Sequence, residues 1–253
     1  MNLIILERSE VGEAGDASLS GARAEHVITV LHAAPGHEVR IGVIDGPRGV
    51  GTVQGIGDGV VSLRCVLEGE TPPRPAIDLV LALPRPKVMR RLWAQIAALG
   101  VGQIILTNAE KVERNYFDTH VLSPEAYRPL LIEGLQQARD TRLPAVSIHR
   151  QFKVLVEDQL DALAGPALRV VADPSASKAL SQVVQVGGRQ RLLLAIGPEG
   201  GWNPFELGLL AAHGFQPAGI GPRTLRSDTA CVALLALAHS AMEISDLRVQ
   251  ISD

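Results

Sequence analysis

The stretch Leu192–Glu206 constrains the fold of this 253-residue chain more than any other. Residues 192–196 form a short apolar run, which is typical of a strand buried on both faces. The glycine-rich segment 197–201 then breaks the chain. Asn203 is a good N-cap, Pro204 suits the first helical position, and the glutamate three residues after the cap can close a capping box. The sequence therefore predicts a buried strand, a loop and a helix start.

The same alternation of strands and helices extends from residue 77 onward, and it predicts an α/β domain with a mainly parallel sheet. The expected strands are 77–83, 103–107, 145–149, 168–172, 192–196 and a short strand that Gly219-Ile220 closes. The expected helices are 87–99, 124–139, one that starts at Asp173-Pro174 and runs to about Val184, one that starts at Asn203, and a last one that begins at Ser227.

The first 70 residues have a different pattern, with short β-rich segments at 37–44, 49–56 and 59–67. Turn sequences at 45–47 and 57–59, both containing Asp-Gly, predict hairpins between these segments. A strand at 3–6 and a brief helix at 24–31 complete the region, which predicts a small barrel. The proline-rich segment 69–75 then predicts a domain boundary.

Composition narrows the class of protein. The net charge of −3 is unusual for a general nucleic-acid binder, although it is compatible with a local basic patch. Cys65 and Cys231 lie in apolar runs and are expected to be core residues in a reducing compartment. With no signal segment and no apolar stretch long enough to cross a membrane, a cytoplasmic protein with no membrane partner is expected.

Three segments that follow expected strands are candidates for a ligand site: Ala172-Asp173-Pro174, Gly197–Gly201 and Gly219–Ala230. Ligands of open α/β sheets bind beyond the carboxyl ends of the strands, so these segments can converge on one ligand. Glycines allow close backbone approach, and free amides at a helix start favour acceptors and negative charge. A tight turn without a ligand is the alternative.

Several familiar site patterns are missing from the chain. It has no P-loop and no Gly-x-Ser-x-Gly elbow, and the 197–201 loop does not match the dinucleotide-binding pattern. The seven histidines lack ligand spacing, which predicts no metal. His213 and His239 lie in helical segments and are expected to be packed or capping residues.

Arg223 and Arg226 flank Thr224-Leu225 in the loop before the last helix. One of them can grip a phosphate or polarise a base carbonyl. Alternatively, they are solubilising residues or pair with Asp228 or Glu199.

The chain has two further groups of basic residues, the first of them just after a strand. Each group alone is compatible with a solvated face, whereas together they can form a phosphate-contacting surface. They are Arg85, Lys87, Arg90 and Arg91, and Arg139, Arg142, His149 and Arg150.

The last helix carries the uninterrupted apolar run 230–238, which indicates burial on all sides. The run can belong to the core of this chain or be shared with a second subunit.

Two motifs together resemble the ribosomal RNA small subunit methyltransferase E family, of the SPOUT class of knotted methyltransferases. They are Leu194–Trp202, with the sequence Leu-Ala-Ile-Gly-Pro-Glu-Gly-Gly-Trp, and Ile220–Ala230, with the sequence Ile-Gly-Pro-Arg-Thr-Leu-Arg-Ser-Asp-Thr-Ala. Residues Gly21–Leu31 and Pro35–Val39 are similar to the family's PUA-like domain, so the resemblance covers nearly the whole chain.

The resemblance implies an α/β fold in which residues 1–72 form a small PUA-like, RNA-binding β-barrel domain. Residues 73–253 would form a SPOUT-type parallel-sheet domain with a C-terminal trefoil knot. The implied cofactor is S-adenosylmethionine, the implied assembly is a homodimer, and the implied reaction is methylation of N3 of a uridine in 16S rRNA of the small ribosomal subunit.

The resemblance also implies roles for individual residues. Arg226 is the catalytic candidate, stabilising charge that develops on the uracil ring. Glu199 would orient the cofactor or only brace its loop. The cofactor-binding candidates are Ala172, Asp173, Ile196, Gly197, Pro198, Glu199, Gly200, Gly201, Ile220, Gly221, Pro222, Leu225 and Arg226. The RNA-binding candidates are Arg85, Lys87, Arg90, Arg139, Arg142 and Arg223.

Two segments depart from the family pattern. Where the family often has Gln-Lys-x-x-Glu-Leu-Gly, residues 95–100 lack the lysine and the glutamate, and the usual Glu-Gln-Ser-x-Arg becomes Gln-Gln-Ala-Arg-Asp at 136–140. These departures indicate a divergent subgroup and leave the methylated nucleotide open. The alternatives are a SPOUT methyltransferase acting on a different RNA, and a non-catalytic RNA-binding or ribosome-assembly factor.

Overall fold

A computed structural model describes residues 3–186 and 191–252 of the chain. Contacts within the chain divide it into two compact units. The first contains the residues up to Arg74 together with Ile132–Leu143, and the second contains Pro75–Leu131 and the residues from Pro144 onward.

A five-stranded mixed sheet forms the first unit, in the order β1-β3-β4-β5-β2. Its strands are β1 (Ile4–Leu6), β2 (Asp16–Leu19), β3 (Glu38–Val43), β4 (Arg48–Gly57) and β5 (Val60–Glu68). Strand β1 runs parallel to β3, and the other neighbours are antiparallel. A 3₁₀ turn at Arg8–Glu10 and the helix α1 (Gly21–Glu25), continued by a π-helical turn at His26–Val30, complete the unit.

The two hairpins expected from the Asp-Gly turns are confirmed, since β4 pairs antiparallel with both β3 and β5. Asp58 and Gly59 have φ of 51° and 72°, which is the left-handed pair that a two-residue type I′ turn requires. Strand β2 was not expected from the sequence. Its four residues alternate, with Ala17 and Leu19 buried, but the strand is so short that only pairing with β5 defines it.

The core of the first unit is aliphatic, and it includes Val39, Ile41, Val61 and Leu63. The segment 132–143 joins this unit through Thr141, whose hydroxyl donates to the carbonyl of Gly46 at 2.7 Å. Strands β1 and β2 are the outer strands of the sheet, and no pairing between them closes the ladder within the described residues. The barrel and its PUA-like character therefore stay predictions.

A six-stranded sheet in the order β11-β9-β10-β6-β7-β8 forms the centre of the second unit. All neighbouring strands are parallel, so every carboxyl end lies at the same edge. The strands are β6 (Ile77–Ala82), β7 (Gln103–Thr107), β8 (Ala145–His149), β9 (Leu168–Ala172), β10 (Leu192–Ile196) and β11 (Gln216–Ala218).

Helices follow most of these strands. They are α2 (Pro86–Ala98), α3 (Pro124–Ala138), α4 (Phe152–Val154), α5 (Leu160–Ala164), α6 (Leu180–Val186), α7 (Pro204–Ala212) and α8 (Ser227–Ser252). A π-helical turn at Leu155–Gln159 connects α4 to α5, and 3₁₀ turns occupy Arg114–Asp118 and His120–Leu122. None of the described helices is long and apolar enough to span a membrane.

The expected parallel α/β architecture is confirmed, and so is the predicted unit of strand, loop and helix start at residues 192–206. All five residues of β10 are buried. The capping box at α7 is present: the Asn203 side chain accepts from the N–H of Glu206, and the Glu206 carboxylate accepts from the N–H of Asn203.

Two expectations about element boundaries are wrong. The helix after β9 begins at Leu180, not at Asp173, because the Asp173 carboxylate accepts from the N–H and hydroxyl of Ser175 and holds the chain in a turn. Strand β11 ends at Ala218, so Gly219-Ile220 lies beyond it, and Gly219 makes only an isolated bridge to Ala179.

Three expectations about single residues agree with the structure. Cys65 and Cys231 are free, buried thiols. His213 caps the end of α7, where its ring lies 2.9 Å from the carbonyl of Leu209. His239 is packed beside Gly100, and burial lowers the pKa of its imidazole.

Candidate ligand site

A cavity of about 400 Å³ lies beyond the carboxyl ends of β9, β10 and β11. The three segments that the sequence singled out line it together: residues 172–175, 196–202, 218–221 and 223–225. Leu207 of α7 and Ser227, Ala230 and Leu234 of α8 complete the wall. The position agrees with the general rule for open α/β sheets, and the volume is that of a small-molecule site.

The loop after β10 is a tight turn held at both ends. The N–H of Gly201 donates to the carbonyl of Pro198 at 2.8 Å, and Gly201 has φ of 70°, a conformation that favours glycine. Lys111 donates from Nζ to the carbonyl of Gly200 at 2.6 Å. The capping box of α7 fixes the chain just beyond the loop. The loop is therefore ordered by this chain's own contacts.

The segment between β11 and α8 is tied to the start of α6. The N–H of Gly219 donates to the carbonyl of Lys178, and the carbonyl of Gly219 accepts from the N–H of Leu180. Gly221 follows with φ of 120°, and Arg226 then leads into α8. The N–H of Asp173 also donates to the carbonyl of Ala218 at 3.0 Å, so two parts of the cavity wall are joined by a backbone hydrogen bond.

Two buried polar atoms in the cavity wall lack a hydrogen-bond partner within the described part of the chain. They are Nε1 of Trp202, whose side chain is 8% exposed, and Oγ of Ser227, which is 4% exposed. Buried polar groups are normally paired, because an unpaired one costs about 1–3 kcal/mol. These atoms fit a cavity whose bound molecule supplies the partners.

Most predicted cofactor-binding residues line this cavity, with two exceptions. Pro222 and Arg226 are exposed and do not belong to its lining. Arg223, which the sequence analysis assigned to RNA, does line it. Of the two loop arginines, the structure therefore brings Arg223 to the cavity wall.

Glu199 and Asp228 pair with arginines of the α2 region, one at its N-cap and one within the helix, and not with the loop arginines. Nε of Arg85 lies 3.3 Å from Oε2 of Glu199, and Nη2 of Arg91 lies 2.9 Å from Oδ2 of Asp228. The proposed pairing of Arg223 or Arg226 with either acid is therefore wrong. Neither arginine makes an ion pair with any described residue.

The three basic groups are divided between the two units. Arg139 and Arg142 belong to the first unit, whereas Arg85, Lys87, Arg90, His149, Arg150 and Arg223 belong to the second. Arg142 donates to the carbonyl of Pro72, and Arg150 pairs with Asp118 at 2.9 Å. Lys87 and Arg90 are exposed and make no ion pair within the described residues.

The predicted cofactor-binding residues leave out several residues of the site, three of which bear on its chemistry. Trp202 and Ser227 line the cavity, and Lys111 anchors the loop from a distant part of the chain. Adjacency to the glycine-rich loop could have indicated Trp202, and the start of the last helix could have indicated Ser227. Nothing in the local sequence connects Lys111 to Gly200, since 89 residues separate them.

Comparison with known proteins shows the family of this chain. Residues 71–239 match the family model of the RNA methyltransferase domain. The chain is 31% identical over 248 residues to ribosomal RNA small subunit methyltransferase E from Treponema pallidum, and the match spans 95% of this chain and 92% of that protein. The chain belongs to the ribosomal RNA small subunit methyltransferase E family.

Two further relatives of this family cover nearly the whole chain. Ribosomal RNA small subunit methyltransferase E 1 of Borreliella burgdorferi is 23% identical to this chain, and the match covers 96% of this chain and 99% of that protein. A crystal structure of ribosomal RNA small subunit methyltransferase E from Neisseria gonorrhoeae, bound to S-adenosyl methionine, superposes with a TM-score of 0.75 at 19% identity. That match covers 95% of this chain and 97% of the other, and it establishes the shared fold.

Proposed function

We propose that this protein uses S-adenosylmethionine to methylate N3 of a uridine in 16S rRNA of the small ribosomal subunit. The observation that carries the proposal is the convergence of the three loops on one cavity in a chain of this methyltransferase family. When bound, S-adenosylmethionine supplies an electrophilic methyl group.

The residues of the cavity suit a nucleoside-containing ligand more than a bare phosphate. Its wall combines apolar groups such as Ile196, Leu225 and Leu234 with backbone amides, and it contains the two unpartnered atoms of Trp202 and Ser227. We assign cofactor binding to the predicted residues of the three loops and add Trp202 and Ser227. Holding the donor and the acceptor in line supplies much of the rate in a transfer of this kind.

Arg226 stays the proposed group that stabilises the charge developing on the uracil ring. Arg226 is exposed, and its chain neighbours Leu225 and Ser227 line the cavity. It makes no ion pair with a described residue, so its guanidinium is available to a substrate. A positioned cation of this kind stabilises a transition state in which the ring becomes anionic. Arg223, which lines the cavity, is assigned to the cofactor side of the site.

The remaining parts of the proposal concern RNA and assembly. The first unit would bind RNA as a PUA-like domain, with Arg139 and Arg142, and the second would contribute Arg85, Lys87 and Arg90. The second unit would carry a trefoil knot and form a homodimer in the cytoplasm. The apolar run of α8 supports dimerisation, because Leu237 is 45% exposed on it and Ile244, further along the same helix, is 39% exposed.

Calorimetry with S-adenosylmethionine tests the cofactor site. Binding is expected, and no binding at millimolar ligand would reject the enzyme and leave a non-catalytic RNA-binding or assembly factor.

Small subunits purified from a strain lacking the modification test the substrate, with the product mapped by mass spectrometry. Methylated tRNA with unmodified 16S rRNA would instead support the alternative enzyme, which acts on a different RNA.

A further inference from the structure

The second unit contains another cavity, of about 320 Å³, with a mostly polar wall. It lies beyond the carboxyl end of β7, where Asn108 follows the strand, and the starts of α4 and α7 contribute Phe152 and Phe205. This edge of the sheet is the one at which parallel α/β proteins bind their ligands.

Each of the two cavities is lined by one ring of a tilted aromatic pair, whose ring planes meet at 33°. Trp202 lines the cofactor cavity and Phe152 lines the second one, and their ring centroids lie 5.1 Å apart. A molecule in the second cavity would therefore be a near neighbour of a molecule in the first.

Asn108 gives the second cavity an unpaired hydrogen-bond acceptor. Its Oδ1 is buried and has no partner among the described residues. Because a buried amide oxygen is normally paired, this atom fits a ligand that carries an N–H donor.

Phe205 gives the cavity an exposed aromatic face. Its side chain is 61% exposed, the highest fraction among the large hydrophobic residues found on the described surface. It occupies the second position of α7, where Pro204 and the capping box fix the backbone. A ring held this way can stack on a planar base, and such stacking requires no particular base.

The charges around the cavity are balanced. Arg114 and Lys153 are positive and Glu110 and Glu206 are negative. The carboxylate of Glu206 is already satisfied, since it accepts two backbone N–H groups at 2.7 Å, and Lys153 lies 3.8 Å from Glu157. Arg114 is exposed and makes no ion pair within the described residues. This balance suits a neutral ring inside the cavity and a single phosphate on Arg114.

We propose that this second cavity binds an unstacked nucleobase of the substrate RNA, next to the nucleotide that is methylated. The base stacks on Phe205, an N–H of the base donates to Oδ1 of Asn108, and Arg114 contacts a neighbouring phosphate. Single-stranded RNA is commonly recognised by splayed bases on aromatic side chains. The subsite rests on the proposed methylation of RNA, because it is a subsite for that substrate.

Kinetics with small subunits from the modification-deficient strain test the subsite. Phe205→Ala is expected to raise KM for the subunit about tenfold, the effect of losing one base–aromatic stack. It should leave kcat within about twofold and the affinity for S-adenosylmethionine unchanged. Phe205→Tyr keeps the ring and should restore KM, whereas Phe205→Leu keeps only an apolar side chain and should not.

Direct binding of a fluorescently labelled single-stranded RNA hexamer separates this inference from the proposed function. Phe205→Ala and Asn108→Ala should each weaken hexamer binding several-fold, whether or not the wild-type protein methylates any RNA. Arg114→Ala should weaken it and reduce its salt dependence. An unchanged hexamer affinity in Phe205→Ala, or no hexamer binding by the wild-type protein, would overturn the subsite even if methylation of subunits is found.

Discussion

Gly197 lies against the indole of Trp202, and this contact determines what the first residue of the cofactor loop can be. A Cβ added to Gly197 would lie 3.0 Å from Cδ1 and Nε1 of Trp202, closer than ordinary contact distance. The indole would have to move, and the indole forms part of the cavity wall.

We therefore expect Gly197→Ala to weaken S-adenosylmethionine binding about tenfold, or ~1.4 kcal/mol. Gly208→Ala is the matched control, because a Cβ at Gly208 in α7 meets nothing within 4 Å. Calorimetry measures both affinities, and tryptophan emission reports the displaced indole. If Gly197→Ala and Gly208→Ala both bind S-adenosylmethionine as tightly as the wild-type protein, the contact of Gly197 with Trp202 does not matter for cofactor binding.

The two loop arginines should have separable roles. Arg226→Ala is expected to keep cofactor affinity within about tenfold, or ~1.4 kcal/mol, but to lose most turnover, because the side chain lies outside the cavity lining. Arg223→Ala is expected to weaken cofactor binding, because Arg223 lines the cavity. Calorimetry and single-turnover methylation separate the effects. A normal rate in Arg226→Ala would exclude it as the charge-stabilising group.

At the scale of elements, α2 is connected to both cofactor loops. Arg85, which directly precedes α2, pairs with Glu199 in the loop after β10, and Arg91 within α2 pairs with Asp228 at the start of α8. Two of the residues first grouped as a basic surface thus contact acids beside the cavity. Surface pairs of this kind contribute little to global stability, about 0–1 kcal/mol each, so their effect is expected mainly on loop position.

The pair of Arg91 and Asp228 predicts a specific pH dependence. The hydrogen bond from Arg91 lowers the pKa of the Asp228 carboxyl below its ordinary value of 3.8. A lowered carboxyl pKa stabilises the folded state above the ordinary pKa, and this contribution disappears as the pH falls through the folded-state pKa. We expect Arg91→Ala to cost about 0.5 kcal/mol at pH 7 and progressively less as the pH falls below 3.8. Urea unfolding at several pH values measures this, with Arg90→Ala as an unpaired control on the same helix. A pH-independent cost would contradict it.

At the scale of the whole molecule, each of the two units contains one buried thiol. Cys65 lies in β5 of the first unit and Cys231 lies in α8 of the second. Burial raises the pKa of both thiols, that of Cys231 to about 12. Both are therefore protonated at pH 8, and thiols are poor nucleophiles when protonated.

We expect neither cysteine to react with iodoacetamide in the native protein at pH 8. In increasing urea, Cys65 should be labelled at a lower concentration than Cys231, because the smaller first unit buries a smaller fraction of its surface. Mass spectrometry of labelled peptides measures each site. Labelling of Cys231 in the absence of denaturant, or before Cys65, would contradict the prediction.

The sequence by itself determined the local elements around the site. The apolar run of β10, the capping residues Asn203 and Glu206, and the Asp-Gly hairpins each carry their signal within a few residues, and the structure agrees with them. Local signals failed where a side chain competed with the helix, as at Asp173, where an aspartate turn delays α6 to Leu180.

Only the tertiary structure decided which distant residues meet at the site. The tie between Lys111 and Gly200, the placement of Arg223 rather than Arg226 in the cavity wall, and the pairs that Arg85 and Arg91 make with the loop acids all depend on the order of the strands. The sheet places β10 next to β6, a strand that lies more than 100 residues earlier in the chain, as well as next to β9. Residues on strands that are distant in the chain but adjacent in the sheet share no local sequence pattern, so a single sequence does not reveal their contacts. The sequence therefore indicated the loops that form the cavity, and the fold decided which side chains face it.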